Sequence, residues 1–362
     1  MTQESLRGGR WNTTELVSNE NRHYLENRES TFSFLPPRGS VSMMNLLTLH
    51  LILSVASLAG AFLPSCTKSS IPSRNVQLHA EGGAPQYDKR DAILRRAEVV
   101  GEGSVMMHID STDGVDYQPG HVLALEIEDK GISTNEKNAQ DAESNGGWLR
   151  GPSTVSRASE NSFDVLIKVV GDKSRAFASA EPGTSLKFGG KFKVPIYEGI
   201  SKEDTQRVVL ISTGVGVGPC IGAIEKMLSD NGFSAKVDLF ASFRTDAEVV
   251  CRNYLDELES KHPEQFNWKP IITSQTGRIS ESKESISPIV SPDGICNIKR
   301  THYHLIGNGQ LVNEWKAGLA QAGVPEEKVT VEAYFNHKAE SDEKAIGMIA
   351  DVISASMSNP VV

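Results

Sequence analysis

The chain has 362 residues, 38% of them apolar, and a formal net charge of −9; that length accommodates about two domains with cores of their own. Residues 1–80 hold five acidic and seven basic side chains, which leaves −11 for residues 81–362, and so acidic a body excludes nucleic acid as the main partner. Four scattered cysteines, Cys66, Cys220, Cys251 and Cys296, supply neither a disulfide framework nor a C-x-x-C metal site, so the compartment reads as reducing and no bound metal is expected.

Residues 1–42 are polar and lack sustained periodicity. Met43 and Met44 precede Asn45–Ala61, a leucine-rich run ending Ala59-Gly60-Ala61, the apolar stretch and A-x-A cleavage site of a secretory signal at about 43–61. The run is short for a membrane span and is interrupted by Asn45, Thr48 and His50, so no stable span is expected in the mature protein. Cleavage there would put residues 1–42 upstream of the true start. Phe62-Leu63-Pro64-Ser65 opens a serine-rich stretch, 62–80, with Lys68 and Arg74 but no acid, the composition of a transit peptide. A signal followed by phenylalanine and a transit-like stretch resembles the bipartite plastid presequence of diatoms and related algae. It implies import into the plastid (chloroplast) stroma; secretion is the alternative. Gly82-Gly83-Ala84-Pro85 reads as a linker that completes a segment of 1–87.

Over 88–198, short apolar or alternating runs at Val99–Ile109, His121–Ile127, Phe163–Val170 and Ser185–Phe188 are separated by Gly, Pro and Asp. This spacing predicts an antiparallel β-barrel. The polar stretch Asp129–Gly147 is expected as a mobile insertion. Within the domain stand Arg150-Gly151-Pro152-Ser153-Thr154-Val155-Ser156, then Gly171-Asp172-Lys173-Ser174, then the turn Glu181-Pro182-Gly183-Thr184. Lys168, Lys173, Arg175, Lys187, Lys191 and Lys193 form a local basic cluster.

Over 205–335 strands alternate with helices, which predicts an α/β domain with a parallel sheet and ligands at the strand C-termini. The predicted strands are Val208–Ile211, Lys236–Phe243, Pro270–Thr273, Tyr303–Ile306 and Val329–Phe335. Helices are predicted at Ala247–Glu259, at Gln310–Gln321 and from Pro219, with Ile221, Ile224 and Leu228 as an apolar stripe. The first strand runs into Thr213-Gly214-Val215-Gly216-Val217-Gly218-Pro219, a glycine turn at a helix N-terminus where a phosphate can sit. Gly218-Pro219-Cys220 lacks the lysine and hydroxyl of a P-loop, and Gly218 comes one residue early for G-x-G-x-x-G. Residues 336–362 form an extension in which Ile346, Ile349, Ile353 and Met357 predict an amphipathic helix.

T-G-x-G-x-x-P, with the three barrel motifs in order before it, resembles the ferredoxin–NADP reductase-like family over roughly residues 90–335. The resemblance implies a barrel that holds FAD, followed by a domain for NADP or NAD. It makes Arg150, Ser153, Thr154, Val155 and Ser156 flavin contacts, with Ser153 near the reactive edge, and brings Gly171, Lys173 and Ser174 to the flavin phosphates. Thr213, Gly214, Gly216 and Pro219 would hold NAD(P)H, Arg244 and Thr245 its adenosine end, and Gly307, Asn308 and Gly309 the nicotinamide side. Tyr334 and Phe335 would cover the flavin. Two positions depart: Pro152 replaces the family's stacking aromatic, and Ile306 replaces a cysteine. Arg244 favours a 2′-phosphate whereas Asp246 favours a free ribose hydroxyl, so NADPH and NADH both stay open.

The expected function is an oxidoreductase that passes hydride from NAD(P)H to FAD and then electrons to a small acceptor or carrier; the basic cluster suits an acidic carrier such as ferredoxin. The alternatives are a non-catalytic nucleotide-binding module with a decayed flavin site, and a reductase that takes FAD or FMN as a substrate. His302 and His304 share a strand face, but two imidazoles without a third ligand do not make a zinc site.

Overall fold

The computed structural model describes residues 87–131, 133, 134, 136–290, 297–335 and 338–358. The signal, transit and linker readings, Cys66 and Cys296 lie outside the described residues. The barrel and the sheet domain belong to one compact unit, 78–362.

Six antiparallel strands close the barrel: β1 (Arg90–Gly101), β2 (Ser104–Asp110), β3 (Val122–Glu128), β4 (Trp148–Ala158), β5 (Ser162–Lys168) and β6 (Ser185–Gly189). Their order is β1-β2-β5-β4-β3-β6, and β1 pairs with both β2 and β6. Leu94, Met107, Leu123, Leu125, Phe163 and Phe188 fill the interior. The predicted single run Val99–Ile109 is two strands, because the chain turns at Glu102-Gly103 and Gly103 takes φ +64°. The predicted insertion contains a helix, α1 (Glu136–Ser144), and after β5 comes the short helix α2 (Asp172–Ala178).

One stretch of the barrel is open. From Trp148 to Thr154 β4 pairs with β3, while its pairs with β5 are Val155–Val165, Arg157–Asp164 and Ala158–Phe163. Pro152 lies on the single-sided stretch, where a missing backbone N–H is tolerated.

The second domain is a parallel sheet of order β11-β10-β7-β8-β9: β7 (Arg207–Thr213), β8 (Lys236–Phe243), β9 (Phe266–Ile272), β10 (Thr301–Asn308) and β11 (Val329–Phe335). On one face α3 (Val217–Ser229) and α4 (Arg252–Lys261) pack against Val208, Leu210 and Leu239. α4 begins later than predicted, since Cys251 before it is left-handed at φ +54°. The one-turn helix α5 (Thr273–Thr276) follows β9, and the other face carries α6 (Lys283–Val290), α7 (Gly309–Gln321) and α8 (Glu343–Ser358). Here Ile349 and Ile353 of α8 are fully buried in one cluster with Trp315 and Leu319 of α7. The amphipathic stripe read in the C-terminal extension is thus a covering layer of this domain.

Candidate functional site

The parallel sheet reverses direction at β7, with β8 on one side and β10 on the other. Ligands of such sheets bind at the C-terminal ends of the strands beside the reversal. There the turn after β7 and the end of β10 are locked together. Thr213 Oγ1 accepts a hydrogen bond of 2.8 Å from the Asn308 amide. Gly307 stands at φ +123°, and a Cβ there would lie 2.1 Å from Thr213 Oγ1. A Cβ on Gly216 would press on the Ile306 carbonyl at 3.0 Å, whereas one on Gly214, at φ +51°, would meet no atom within 4 Å. Gly214 therefore presents bare backbone to open space, as close approach of a phosphate requires. Asn308 caps α7, its Oδ1 accepting from Gln310 N at 2.8 Å, and Gly309 is the first helical residue.

The open space is a cavity of about 360 Å³. Thr213, Gly214, Val215 and Asn308 line it together with Arg244 and Phe335, and the barrel adds Ser104 and Lys168. Arg244 is exposed and has no ion-pair partner among the described residues, while Asp246 is held by Arg252 at 2.5 Å. Arg278, another lining residue, is fixed at 2.8 Å by the fully buried Glu314. Phe335 is 50% exposed, and Tyr334 packs against the core below it.

Other sequence-derived residues face away from this cavity. Pro219 is buried within α3, and the Thr245 hydroxyl is buried without a hydrogen-bond partner. Gly218 and Gly222 serve domain packing: added Cβ atoms would lie 2.5 Å from Ser156 Oγ and 1.9 Å from the Ser156 carbonyl. The third glycine of the turn thus lets α3 approach the barrel.

On β4, Arg150, Pro152, Thr154 and Ser156 alternate with the barrel-facing Leu149 and Val155. Val155 is fully buried, its amide spent on the His121 carbonyl, and Ser156 is pressed under α3. Arg150, 6.0 Å from the Tyr87 ring, and the half-buried Ser153 remain on the open stretch. An added Cβ on Gly151 or Gly171 would meet nothing. Thr154 donates 2.7 Å to Glu332 of β11. Burial raises the Glu332 carboxyl to about 7, with the Thr154 hydrogen bond and the Lys193 charge opposing. An acid at the centre of the apolar strand Val329–Phe335 was the signal for this group in the sequence, and motif matching passed over it.

The start of α2 is differently equipped. Ser174 Oγ accepts from the Val170 and Gly171 amides, 2.9 Å each, and so caps its own helix. Asp172 accepts from the Thr134 hydroxyl and amide, from Asn138 and from Arg175, and those hydrogen bonds hold its carboxyl well below the usual range. Lys173 lies 3.5 Å from Asp141. The basic cluster is likewise engaged: Lys168 with Glu248 at 3.3 Å, Lys191 with Asp116 at 2.8 Å, and Lys187 over the Trp148 ring at 4.3 Å.

No helix among the described residues is long and apolar enough to cross a membrane, and none of their acidic, His and Cys side chains cluster as a metal site.

Residues 210–316 match the family model of the oxidoreductase NAD-binding domain. The NADH nitrate reductase of Volvox carteri is 28% identical over 135 residues, 32% of this chain and 15% of that protein. NADH-cytochrome b5 reductase 2-A of Vanderwaltozyma polyspora is 26% identical over 117 residues, 32% of this chain and 38% of that protein. The matches thus span well under two thirds of either relative. The structure of a ferredoxin NADP+ reductase from Neisseria gonorrhoeae with bound FAD and NADP aligns over 70% of this chain and all of its own, at 16% identity and a TM-score of 0.56. A closed antiparallel barrel followed by a five-stranded parallel sheet gives the chain a fold similar to that of the ferredoxin NADP+ reductase structure, with the match to the oxidoreductase NAD-binding domain lying in the sheet domain.

Proposed function

We propose that the chain is an NAD(P)H-dependent FAD oxidoreductase that delivers electrons to a carrier or small acceptor. The observation that carries this reading is the cavity at the sheet reversal, where bare Gly214, the locked Thr213–Asn308 junction and Arg244 meet Lys168 and Ser104 of the barrel. NAD(P)H is proposed to dock along Thr213–Val215, with Arg244 and Arg278 toward its phosphates.

The open stretch of β4 fits a flat ligand laid beside it. Arg150, Ser153 and Thr154 are the residues that would hold FAD there, with Tyr334 and Phe335 covering it. Bound FAD would accept a hydride and hand electrons on one at a time. In that arrangement Arg150 supplies charge for the pyrophosphate, Ser153 and Thr154 supply hydroxyls, and Phe335 excludes water.

A second reading, that flavin is a loosely held substrate, is favoured by α2. Its serine is spent on capping and its first turn carries the acid Asp172. An electron carrier such as ferredoxin remains part of the proposal as acceptor, resting on the fold. A plastid location rests on the sequence of residues 43–80; a fusion of residues 1–80 to a fluorescent protein that stays out of the plastid would remove it.

Gly307→Ala tests the docking reading. Its Cβ would collide with Thr213 Oγ1 in a backbone conformation that L side chains rarely adopt. NAD(P)H oxidation should fall by at least about 100-fold while flavin content is kept. An unchanged rate would place the nucleotide elsewhere.

A further inference from the structure

The nucleotide cavity has a counterpart at the other end of β10 and β11. This second cavity, about 480 Å³, is lined by Asp204, Lys299, Arg300, Pro325, Glu327 and Lys328. From this cavity a column of polar side chains, buried except for the half-buried Thr330, follows the two strands from Lys328 to Glu332. In the parallel register His304 lies beside Thr330 and Ile306 beside Glu332. Residues two apart share a face, so Lys328, Thr330 and Glu332 run alongside His302, His304 and Ile306.

Thr330 Oγ1 lies 3.0 Å from His302 Nε2 and 2.8 Å from His304 Nδ1. His302 is fully buried and His304 nearly so. Their outer nitrogens, His302 Nδ1 and His304 Nε2, are buried without a hydrogen-bond partner, as is Lys328 Nζ. Buried polar atoms left unpaired by protein are where internal waters sit. Burial holds both imidazoles neutral, aided at His302 by the Lys328 charge. A neutral imidazole has one donor and one acceptor nitrogen. A hydroxyl between two such rings can accept from one while donating to the other. The other ionisable groups coupled to the column are Tyr334, Cys220 and Lys193, all at its Glu332 end.

We propose that His304, Thr330 and His302 form a proton relay from Glu332 to the second cavity. The inference rests on the oxidoreductase reading. When two one-electron acceptors oxidise one NAD(P)H, its C4–H bond breaks and the electron pair ends on the acceptors. One proton is left over and must reach solvent. Glu332 takes that proton beside the flavin face of the domain, waters at the outer ring nitrogens connect the links, and Asp204 and Glu327 receive it at the exit.

The test uses the full chain with ferricyanide as the acceptor and a pH-indicator dye in weak buffer. In a single turnover of Thr330→Val, followed by stopped flow with enzyme in excess over NADPH, proton release should be about tenfold slower than NADPH oxidation, and Thr330→Ser should restore step. A second readout needs no turnover: ¹⁵N NMR of the histidine rings in the chain as isolated. The relay requires ring N–H protons that exchange with solvent rapidly despite burial. Release in step with oxidation in a folded Thr330→Val, or ring protons protected for hours in the wild type, would overturn the relay.

Discussion

Arg244 and Glu332 carry the most specific chemistry at the scale of single residues. Asp246 beside Arg244 gave the sequence two opposed signals for the nucleotide, and the structure separates them, since Arg252 holds Asp246 while Arg244 opens on the cavity. A free guanidinium there suits a 2′-phosphate. Arg244→Ala is expected to raise KM for NADPH more than about tenfold and that for NADH less than about twofold; steady-state kinetics with both nucleotides decide it, and equal losses would point to NADH. Glu332 has a carboxyl raised to about 7. A raised acid binds more protons folded than unfolded, so the stability of its neutral form is complete below the unfolded value near 4.5 and is lost as pH climbs to about 7. The loss is at most about 3 kcal/mol. Glu332→Gln should flatten the urea midpoint between pH 5 and 8, and a midpoint that still falls would assign that dependence to other groups. The alternation of β11 made Glu332 a strand residue, but only the packing of Thr154 against it shows that it is buried, because that contact joins residues 178 apart in sequence.

Elements were legible in the sequence where one period dominates. β8 and β11 end where the alternation and apolar runs placed them. β1 was missed over most of its length because its charged Arg95, Arg96 and Glu98 face solvent and mask the inward Ala92 and Leu94. α4 was expected too early because its entry depends on a left-handed Cys251, a conformation that no local pattern announces. The glycines of the turn were legible as glycines but not as to their neighbours. Gly214 faces the cavity, while Gly218 and Gly222 belong to the seam where α3 meets β4. Overpacking that seam is the prediction at this scale: Gly222→Ala should cost about 1–3 kcal/mol in urea unfolding, because its Cβ would meet backbone rather than a movable side chain. A neutral substitution would mean that α3 and the barrel are separated in solution.

Across the whole molecule, the seam between barrel and sheet domain is tied by charge as well as packing. Arg157 of β4 chelates Glu225 of α3 at 2.6 and 2.8 Å and stacks 4.7 Å from the Tyr254 ring of α4. Thr154 and Glu332 tie β4 to β11. These contacts hold the open stretch of β4 and the cavity of the sheet domain in one unit, as hydride transfer between two bound cofactors requires. The glycine turn and the barrel motifs before it announced a barrel followed by a parallel sheet, but not what their polar side chains bind within the protein. Pro152, the capped Ser174 and the acidic start of α2 weaken the expected site, and Arg150, Ser153 and Thr154 support it. The visible absorption spectrum of the purified chain, recorded before and after anaerobic addition of NADPH or NADH, tests the proposed activity most directly. The expected result is a flavin spectrum that bleaches on addition of the nucleotide, and a colourless protein that takes up no added FAD would contradict the proposed activity.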